Sequence, residues 1–479
     1  MAQVHEIDLS LDALQELFNQ SSDVRIKSEE EIMGKPIIII YCKSLVDSSL
    51  LHTLRMPFLK DKKNLSTAFQ EEKKSLEEVT EDFIVQEVFD GKLVLITPED
   101  DGFIYLYDIS KIPSRNTEES STDISIRGPK DGFIEERITN IGLIRKRLKT
   151  KSLVMRDYIV GDRSKTIVTL VYIEDIINQE ILSNIKEKME QIDIDVLTSS
   201  SMLEELIVDT PASIFPLVNY SGRPDFVVDS LNQGRFALIV DGAPTVLIAP
   251  SNFSYLFKTP EDANVNFYYA TIERLLRFLG FAVTLFLPGF YTALITHNVG
   301  QLPLPLIATI TVSRLGLPFP VFLETLIMLI MFELFKEAGV RLPKSVGQTV
   351  AVLGGLIIGD AAIRGGITSP TMLVIIGITA VASFTLVNQS LLGNVFIIRL
   401  YILALSAFFG IFGFMIGLLS IVLLLCRLQS FGISYMVNFL EFNMKDILYI
   451  LFRNPANLAN KRSTSLKPKD KTRIGGTSS

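Results

Sequence analysis

Up to about residue 270 the chain alternates short apolar runs with polar stretches, and from Leu275 to Leu428 it is mostly apolar. In the first part, KPIIIIYC (Lys35 to Cys42) is a compact β-branched run that predicts a buried strand. SLVDSSLLHTLRMPFL (Ser44 to Leu59) predicts a helix starting at Ser44, and the charged KDKKNLSTAFQEEKKSLEEV that follows predicts a solvated helix or connector. GKLVLITPEDDGFIYLYDI (Gly91 to Ile109) predicts two strands joined by a turn at EDDG. The polar SRNTEESSTD (Ser114 to Asp123) marks a linker.

A second unit of the same kind follows. DGFIEERITNIGLIRKRLK places Phe133, Ile134, Ile138, Ile141, Ile144 and Leu148 near helical spacing. SLVMRDYIVG and KTIVTLVYI predict strands on either side of a GDRS turn, and EDIINQEILSNIKEKMEQI an amphipathic helix. FALIVDGAPTVLIAP (Phe236 to Pro250) predicts a hairpin turning at Asp241-Gly242. Arg145, Lys146, Arg147, Lys149 and Lys151 form a basic cluster that reads either as a solvated helix face or as an anion or headgroup contact.

Beyond Phe267, Tyr268 and Tyr269 the pattern changes scale. A membrane span needs about 20 apolar residues. Leu275 to Thr296 qualifies, with Arg274 and Arg277 at its entry, and Pro318 to Phe335 qualifies, followed by Lys336, Arg341 and Lys344. Val346 to Ile363 and Thr371 to Val387 are shorter candidates, and Val395 to Cys426 fits one tilted span or a tight pair. These make five candidates, whereas cytoplasmic ends on both sides require an even number. The expected organisation is an α/β region of two subdomains (1–113 and 127–266) joined by a linker (114–126), a polytopic helical membrane domain (267–440) and a basic tail (441–479).

Inside the apolar part, interruptions and charges carry the information. LPGFYTALITHNVGQLPLPL contains Pro288, Gly289, Gly300, Pro303 and Pro305. Broken backbone survives in lipid only where protein or a water-filled cavity shelters it, so Pro288, Gly289, Pro303 and Pro305 predict a broken turn able to couple movement. Glu324 is deeply placed with Arg314 as a partner, and an ion pathway and a structural pair both fit it. Glu333 reads as an interfacial charge, and Asp360 with Arg364 as a neutralising i,i+4 pair. Gly355 and Gly359 form a GxxxG, and Gly410, Gly413 and Gly417 a second small-residue face suited to close helix packing. Ser345, Thr349, Val352, Leu356 and Gly359 fall on one mildly polar stripe, which suits either a pore lining that closes by dewetting or plain packing.

Composition narrows the classes. The 479 residues are 48% hydrophobic with a net charge of -7, which argues against nucleic acid as a partner. The N-terminus shows no basic-then-apolar signal pattern, so the α/β region is expected in the cytoplasm. Cys42 and Cys426 give no disulfide framework, and the three histidines fit no metal spacing. There is no GxxxxGK[ST], strand-linked GxGxxG, HExxH or GxSxG, so an enzyme is not expected and no cofactor is implied. A channel or receptor subunit leads, ahead of a solute transporter, which would show internal repeats, and of a purely structural or signalling subunit.

RGPKDGFIEERITNIGLIRKRLK, GRFALIVDGAPTVLIAP, RLLRFLGFAVTLFLPGFYTALITHN, GLPFPVFLETLIMLIMFELFKEAGVRLPKSVGQTVAVLGGLIIGDAA and FFGIFGFMIGL, in that order, closely resemble the A-subunit family of bacterial spore germinant receptors. The resemblance covers about Arg127 to Leu428. It implies a multi-pass protein of the spore inner membrane, with both ends in the spore core and a role in nutrient sensing after sporulation. It also implies a transporter-like, nutrient-binding B subunit and a lipoprotein C subunit as partners. A homo-oligomer, expected as a pentamer, would form an ion channel releasing monovalent cations, with the stripe at 345–359 lining it. Where relatives carry a His and an acidic residue before the Leu-Pro, this chain reads THNVGQLP, with Asn298 and Gly300 in those places.

Overall fold

The run at 36–42 is a central strand with both faces covered. In this computed structural model the described residues are 10–19, 21–30, 36–47, 49–51, 71–75, 79–96, 103–110, 125, 127–341, 359–440, 452, 462 and 464–473. The first sheet is antiparallel with order β1-β2-β4-β5-β3, built from β1 Val24–Glu30, β2 Pro36–Cys42, β3 Glu71–Ser75, β4 Lys92–Ile96 and β5 Phe103–Asp108. Alternation along β2 sends Ile38, Ile40 and Cys42 into one core with α1 Leu11–Leu17 and α2 Glu81–Phe89, while Ile37 and Tyr41 join Leu93, Leu95 and Tyr107 in another. Two faces buried explain a continuous apolar run where a half-exposed strand would alternate.

Two expectations fail here. EEKKS is the edge strand β3, not a helix or connector; Lys73 lies 3.9 Å over the Phe103 ring and Lys74 3.9 Å over Phe83, so its charges cover aromatic surface. Ser44 does not start a helix but sits in a turn against Cys42; the helical turn begins at Ser49, whose N–H donates to Asp47 at 2.8 Å. The remainder of that expected helix, and the expected linker apart from its residue 125, lie outside the described residues.

The second sheet is antiparallel with order β6-β7-β9-β10-β8: β6 Leu153–Val160, β7 Thr166–Ile173, β8 Asn219–Ser221, β9 Phe236–Val240 and β10 Val246–Ala249. α3 Arg137–Arg145 and α6 Pro224–Asn232 pack on one face, α4 Gln179–Glu190 and α5 Ser200–Ile207 on the other. The expected strands, the helix α4 and the β9–β10 hairpin are all present, with Gly242 supplying the positive φ of 84° in the turn.

The basic cluster joins the two subdomains. Arg145 is fully buried and holds Asp23 through Nε at 3.2 Å and Nη2 at 3.0 Å, with its guanidinium 4.1 Å over the Phe89 ring. Lys149 pairs with Asp90, and Lys151 with Asp82 at 3.4 Å, all across the same boundary. Arg147 turns back to Asp131 at 2.7 Å. Four members of the cluster therefore have carboxylate partners: Arg145 is buried at the boundary and Arg147 half-buried, while Lys149 and Lys151 stay on a solvated face.

The helical part starts with α7 Phe267–His297, 31 residues without a break. Pro288 and Gly289 lie inside it, so the expected break at these two residues is overturned. Proline removes one N–H and orphans the carbonyl four residues earlier. That carbonyl, of Thr284, accepts from Arg399 Nε at 2.9 Å, while the bare Gly289 backbone admits Ile402, 2.8 Å from where a Cβ would stand. Together they seat the helix α12 Gln389–Arg427.

α12 is two arms. Gly410 has φ 59° and ψ -140°, and the chain doubles back there. Tyr401 Oη and Ser420 Oγ are 3.1 Å apart, where a straight helix would separate them by about 28 Å. Both ends of α12 meet the second sheet: Asn388 donates to Asn219 at 2.9 Å before it, and after it Ser430 donates to the Leu217 carbonyl at 2.7 Å. The segment Val395 to Cys426 is thus folded into two packed arms rather than one straight helix. The chain then forms the small hairpin β11 Gln429–Ser430 and β12 Ile433–Ser434, whose connecting Phe431 enters the α/β core, as does Leu466 of the tail. Among the described residues, Phe267–His297 and Ser390–Arg427 are the helices long and apolar enough to cross a membrane.

Candidate functional site

The one fully buried carboxylate among the described helices is Glu324, in the first turn of α9 Val321–Arg341. Its Oε1 accepts from Ser369 N at 2.7 Å, Ser369 Oγ at 2.6 Å and Thr368 Oγ1 at 3.1 Å. Its Oε2 lies 3.0 Å from Arg314 Nη1. Three helix ends converge on this pair. Glu324 lies in the first turn of α9, Ser369 caps α11 Pro370–Ser383, and Arg314 closes α8 Leu304–Ser313. Helix N-termini favour an anion and a C-terminus favours a cation, so each charge sits where the backbone dipoles stabilise it.

A hydroxyl network extends from the pair. Thr371 Oγ1 lies 3.2 Å from both Ser369 Oγ and Ser313 Oγ, and 3.1 Å from Tyr291 Oη of α7. Thr292 and Thr325 hydroxyls meet at 3.1 Å. The Arg314 partner was legible from sequence; the Thr368–Ser369–Thr371 shell was not, because single hydroxyls in apolar runs carry no spacing signal. Arg399 was also missed, although a lone arginine in VFIIRLY was a usable warning.

The other expected residues fall in different places. Pro303 caps α8 and Pro305 sits in its first turn, so these two do mark a turn between helices. Gly359 is buried at the start of α10 Gly359–Arg364, 3.2 Å (from an added Cβ) to Leu373. Ser345, Thr349, Val352, Gly355 and Leu356 lie outside the described residues. Gly413 and Gly417 do face a neighbouring helix, the outgoing arm of α12 at Leu405 and Ile402. Gly410 is both the fold-back itself, a backbone conformation only glycine adopts readily, and a close contact with α7, an added Cβ standing 2.8 Å from His297 Cβ.

The fold-back is closed by α7. Ile411 N donates to Asn298 Oδ1 at 3.2 Å, and His297 Nε2 meets the Ala407 carbonyl at 2.8 Å. Two backbone groups left over at the reversal thereby find partners. Asn298 accepts as a carboxylate in the same place would. Gly300 makes no close approach, an added Cβ meeting nothing within 4 Å. At the opposite end of α7, Arg274 and Arg277 clamp Asp262 at 2.8 and 2.9 Å. Burial alone would raise the Asp262 carboxyl, but the two guanidiniums outweigh it and hold it below the ordinary range. Glu333 is paired with Lys336 at 2.7 Å and Asp360 with Arg364 at 2.8 Å, as their spacing predicts.

The chain is similar over nearly its whole length to known proteins. It is 40% identical over 480 residues to spore germination protein XA of Bacillus anthracis, covering 98% of this chain and 97% of that one. It is 35% identical over 448 residues to spore germination protein KA of Bacillus subtilis (strain 168), covering 92% and 82%. The crystal structure of the N-terminal domain of the A subunit of the Bacillus megaterium spore germinant receptor GerK3 matches at 26% identity with a TM-score of 0.36, covering 51% of this chain and 94% of that one. Residues 12–465 match the family described as Bacillus/Clostridium GerA spore germination protein, and to that family the chain belongs.

Proposed function

We propose that this protein is the A subunit of a nutrient-responsive germinant receptor that spans the spore inner membrane and, as an oligomer, forms a channel releasing monovalent cations when germination starts. The family match over residues 12–465 carries the receptor assignment. The B and C subunits expected from the resemblance would be its partners, the B subunit holding the nutrient. The multi-pass reading draws on the fold-back: α12 leaves and re-enters at the second sheet, while α7 starts beside that sheet and ends at the Gly410 reversal. With α9, α11 and the apolar segment 346–363 read as further spans, six crossings keep both chain ends on one side. That resolves the odd count of candidates.

The pore lining belongs to the stripe Ser345, Thr349, Val352, Leu356 and Gly359. Apart from the Glu324–Arg314 pair, Arg399 on the Thr284 carbonyl, and Arg274 and Arg277 at the entry of α7, the described spans bury few charges, which suits a pore gated by an apolar constriction better than a transporter's midplane site. Potassium release from spores tests this, comparing the native chain with Val352→Ala, Leu356→Ala and Gly355→Leu at matched protein levels. The small substitutions should leak without nutrient and the large one should block release. Normal release from all three removes the stripe from the conducting path.

A further inference from the structure

The turn after α12 holds a residue that turns of its kind disfavour. β11 and β12 are joined by Phe431 and Gly432 alone, with φ 51° and 78°. A two-residue turn with positive φ at both positions calls for Asn-Gly or Asp-Gly, and a bulky side chain there strains the backbone. Among the described residues Lys165 and Lys467 are the other non-glycine residues with positive φ, and both are exposed, whereas Phe431 is only 2% exposed. Such strain persists only where the surroundings over-determine it.

Here the surroundings are the α/β core. The Phe431 ring meets Phe236 of β9 edge-on with centroids 5.0 Å apart, and Lys188 of α4 places its Nζ 4.9 Å from the same ring. That ammonium donates to the Ile207 carbonyl at 2.6 Å and to Asp209 Oδ1 at 2.5 Å, while Asp209 Oδ2 accepts from Gly432 N at 3.4 Å. The hairpin also alternates between two cores. Phe431 and Ile433 pack in the α/β core with Ile185 of α4, while Leu428 and Tyr435 pack in the core that α12 shares with α7. Its base is closed by Tyr435 N donating to the Leu428 carbonyl at 2.9 Å.

We infer that the hairpin at 428–435 is a strained latch coupling the second α/β core to the returning arm of α12. Seating of the Phe431 ring is what keeps the turn in its unfavourable backbone. Loosening of the α/β core therefore releases the ring, relaxes the turn and frees the end of α12. The coupling lies within one chain and holds whether or not the helices conduct.

The test is hydrogen exchange on the full-length protein in maltoside detergent, read at the amides of residues 421–428. Ile185→Ala loosens the α/β core from inside, and Phe431→Asn removes the ring while suiting the turn. Each alone should accelerate exchange at 421–428 about tenfold. The double variant should match Phe431→Asn, because the ring that carried the effect is gone. Phe431→Ala also loses the ring but keeps a poor turn residue, so its Tyr435 amide should exchange faster than that of Phe431→Asn. If Ile185→Ala does not fold, Ile185→Val takes its place. Additive effects in the double variant, or an arm indifferent to both changes, overturn the coupling. Equal Tyr435 exchange in Phe431→Ala and Phe431→Asn removes the strain and with it the latch.

Discussion

Removing the Asp23 carboxylate should loosen the two α/β subdomains from each other. In Asp23→Ala, Arg145 keeps the Leu153 carbonyl at 3.3 Å, the Thr150 carbonyl at 3.4 Å and the Phe89 ring, but loses its one ion-pair partner among the described residues. Stranding one member of a buried pair costs about 3–5 kcal/mol. The retained carbonyls and ring place this site toward the lower figure, so undocking should become about a hundredfold more frequent at 1.4 kcal/mol per tenfold. Hydrogen exchange on the full-length protein reads this directly, because Ser22 N donates to the Met155 carbonyl at 3.0 Å across the boundary. Exchange around Ser22 and Val24 should accelerate, while Asp82→Ala, which removes an exposed pair, should change little. The pH dependence has a defined sign. Burial raises the Asp23 carboxyl, but Arg145 outweighs it and holds the folded value below 3.8. The stabilisation is therefore complete above the ordinary carboxylate value and is lost as pH falls through the depressed one. Unchanged exchange in Asp23→Ala would refute the clamp.

Two further outcomes follow from the helical part. Gly413→Leu puts a side chain into the Leu405 carbonyl of the outgoing arm, and Gly410→Ala forces a residue with a Cβ into a conformation costing about 1–3 kcal/mol; both should reduce the level of folded protein in membranes, whereas Gly300→Ala, facing open space, should not. Glu324→Leu should lower Tm more than Glu324→Gln, because the amide oxygen still accepts from Ser369 while leucine leaves Arg314 and the Ser369 N–H unsatisfied; equal losses would mean that the shell contributes nothing.

What the sequence disclosed depended on how local the cause was. Strands β2, β7 and β9 and the turn at Gly242 are written in contiguous residues, and all were legible. β3 was not, because a charged edge strand that shields aromatic rings looks like a solvated helix. The break expected at Pro288 was misplaced for a related reason: a proline's cost depends on whether something supplies the missing hydrogen bond, and Arg399 lies 111 positions away in the chain. Gly410 looked like Gly413 and Gly417, since spacing cannot show that a glycine packed closely on a neighbour is needed for its backbone as well. Of the candidate site, the Glu324–Arg314 pair was readable because charge in an apolar run is rare. Its hydroxyl shell required knowing that three helix ends meet.

Phe431 packs at 5.0 Å against Phe236, and Leu466 lies in the same core, so the second α/β subdomain is finished by residues synthesised after the described long helices α7, α9, α11 and α12. During translation that core must wait, one side open, until those helices have been made. Under the proposed multi-pass reading, its completion would report that the helices had gone in and come back. A chain that stalled before that point would leave the gap exposed to chaperones and proteases, giving the cell a way to discard unfinished subunits.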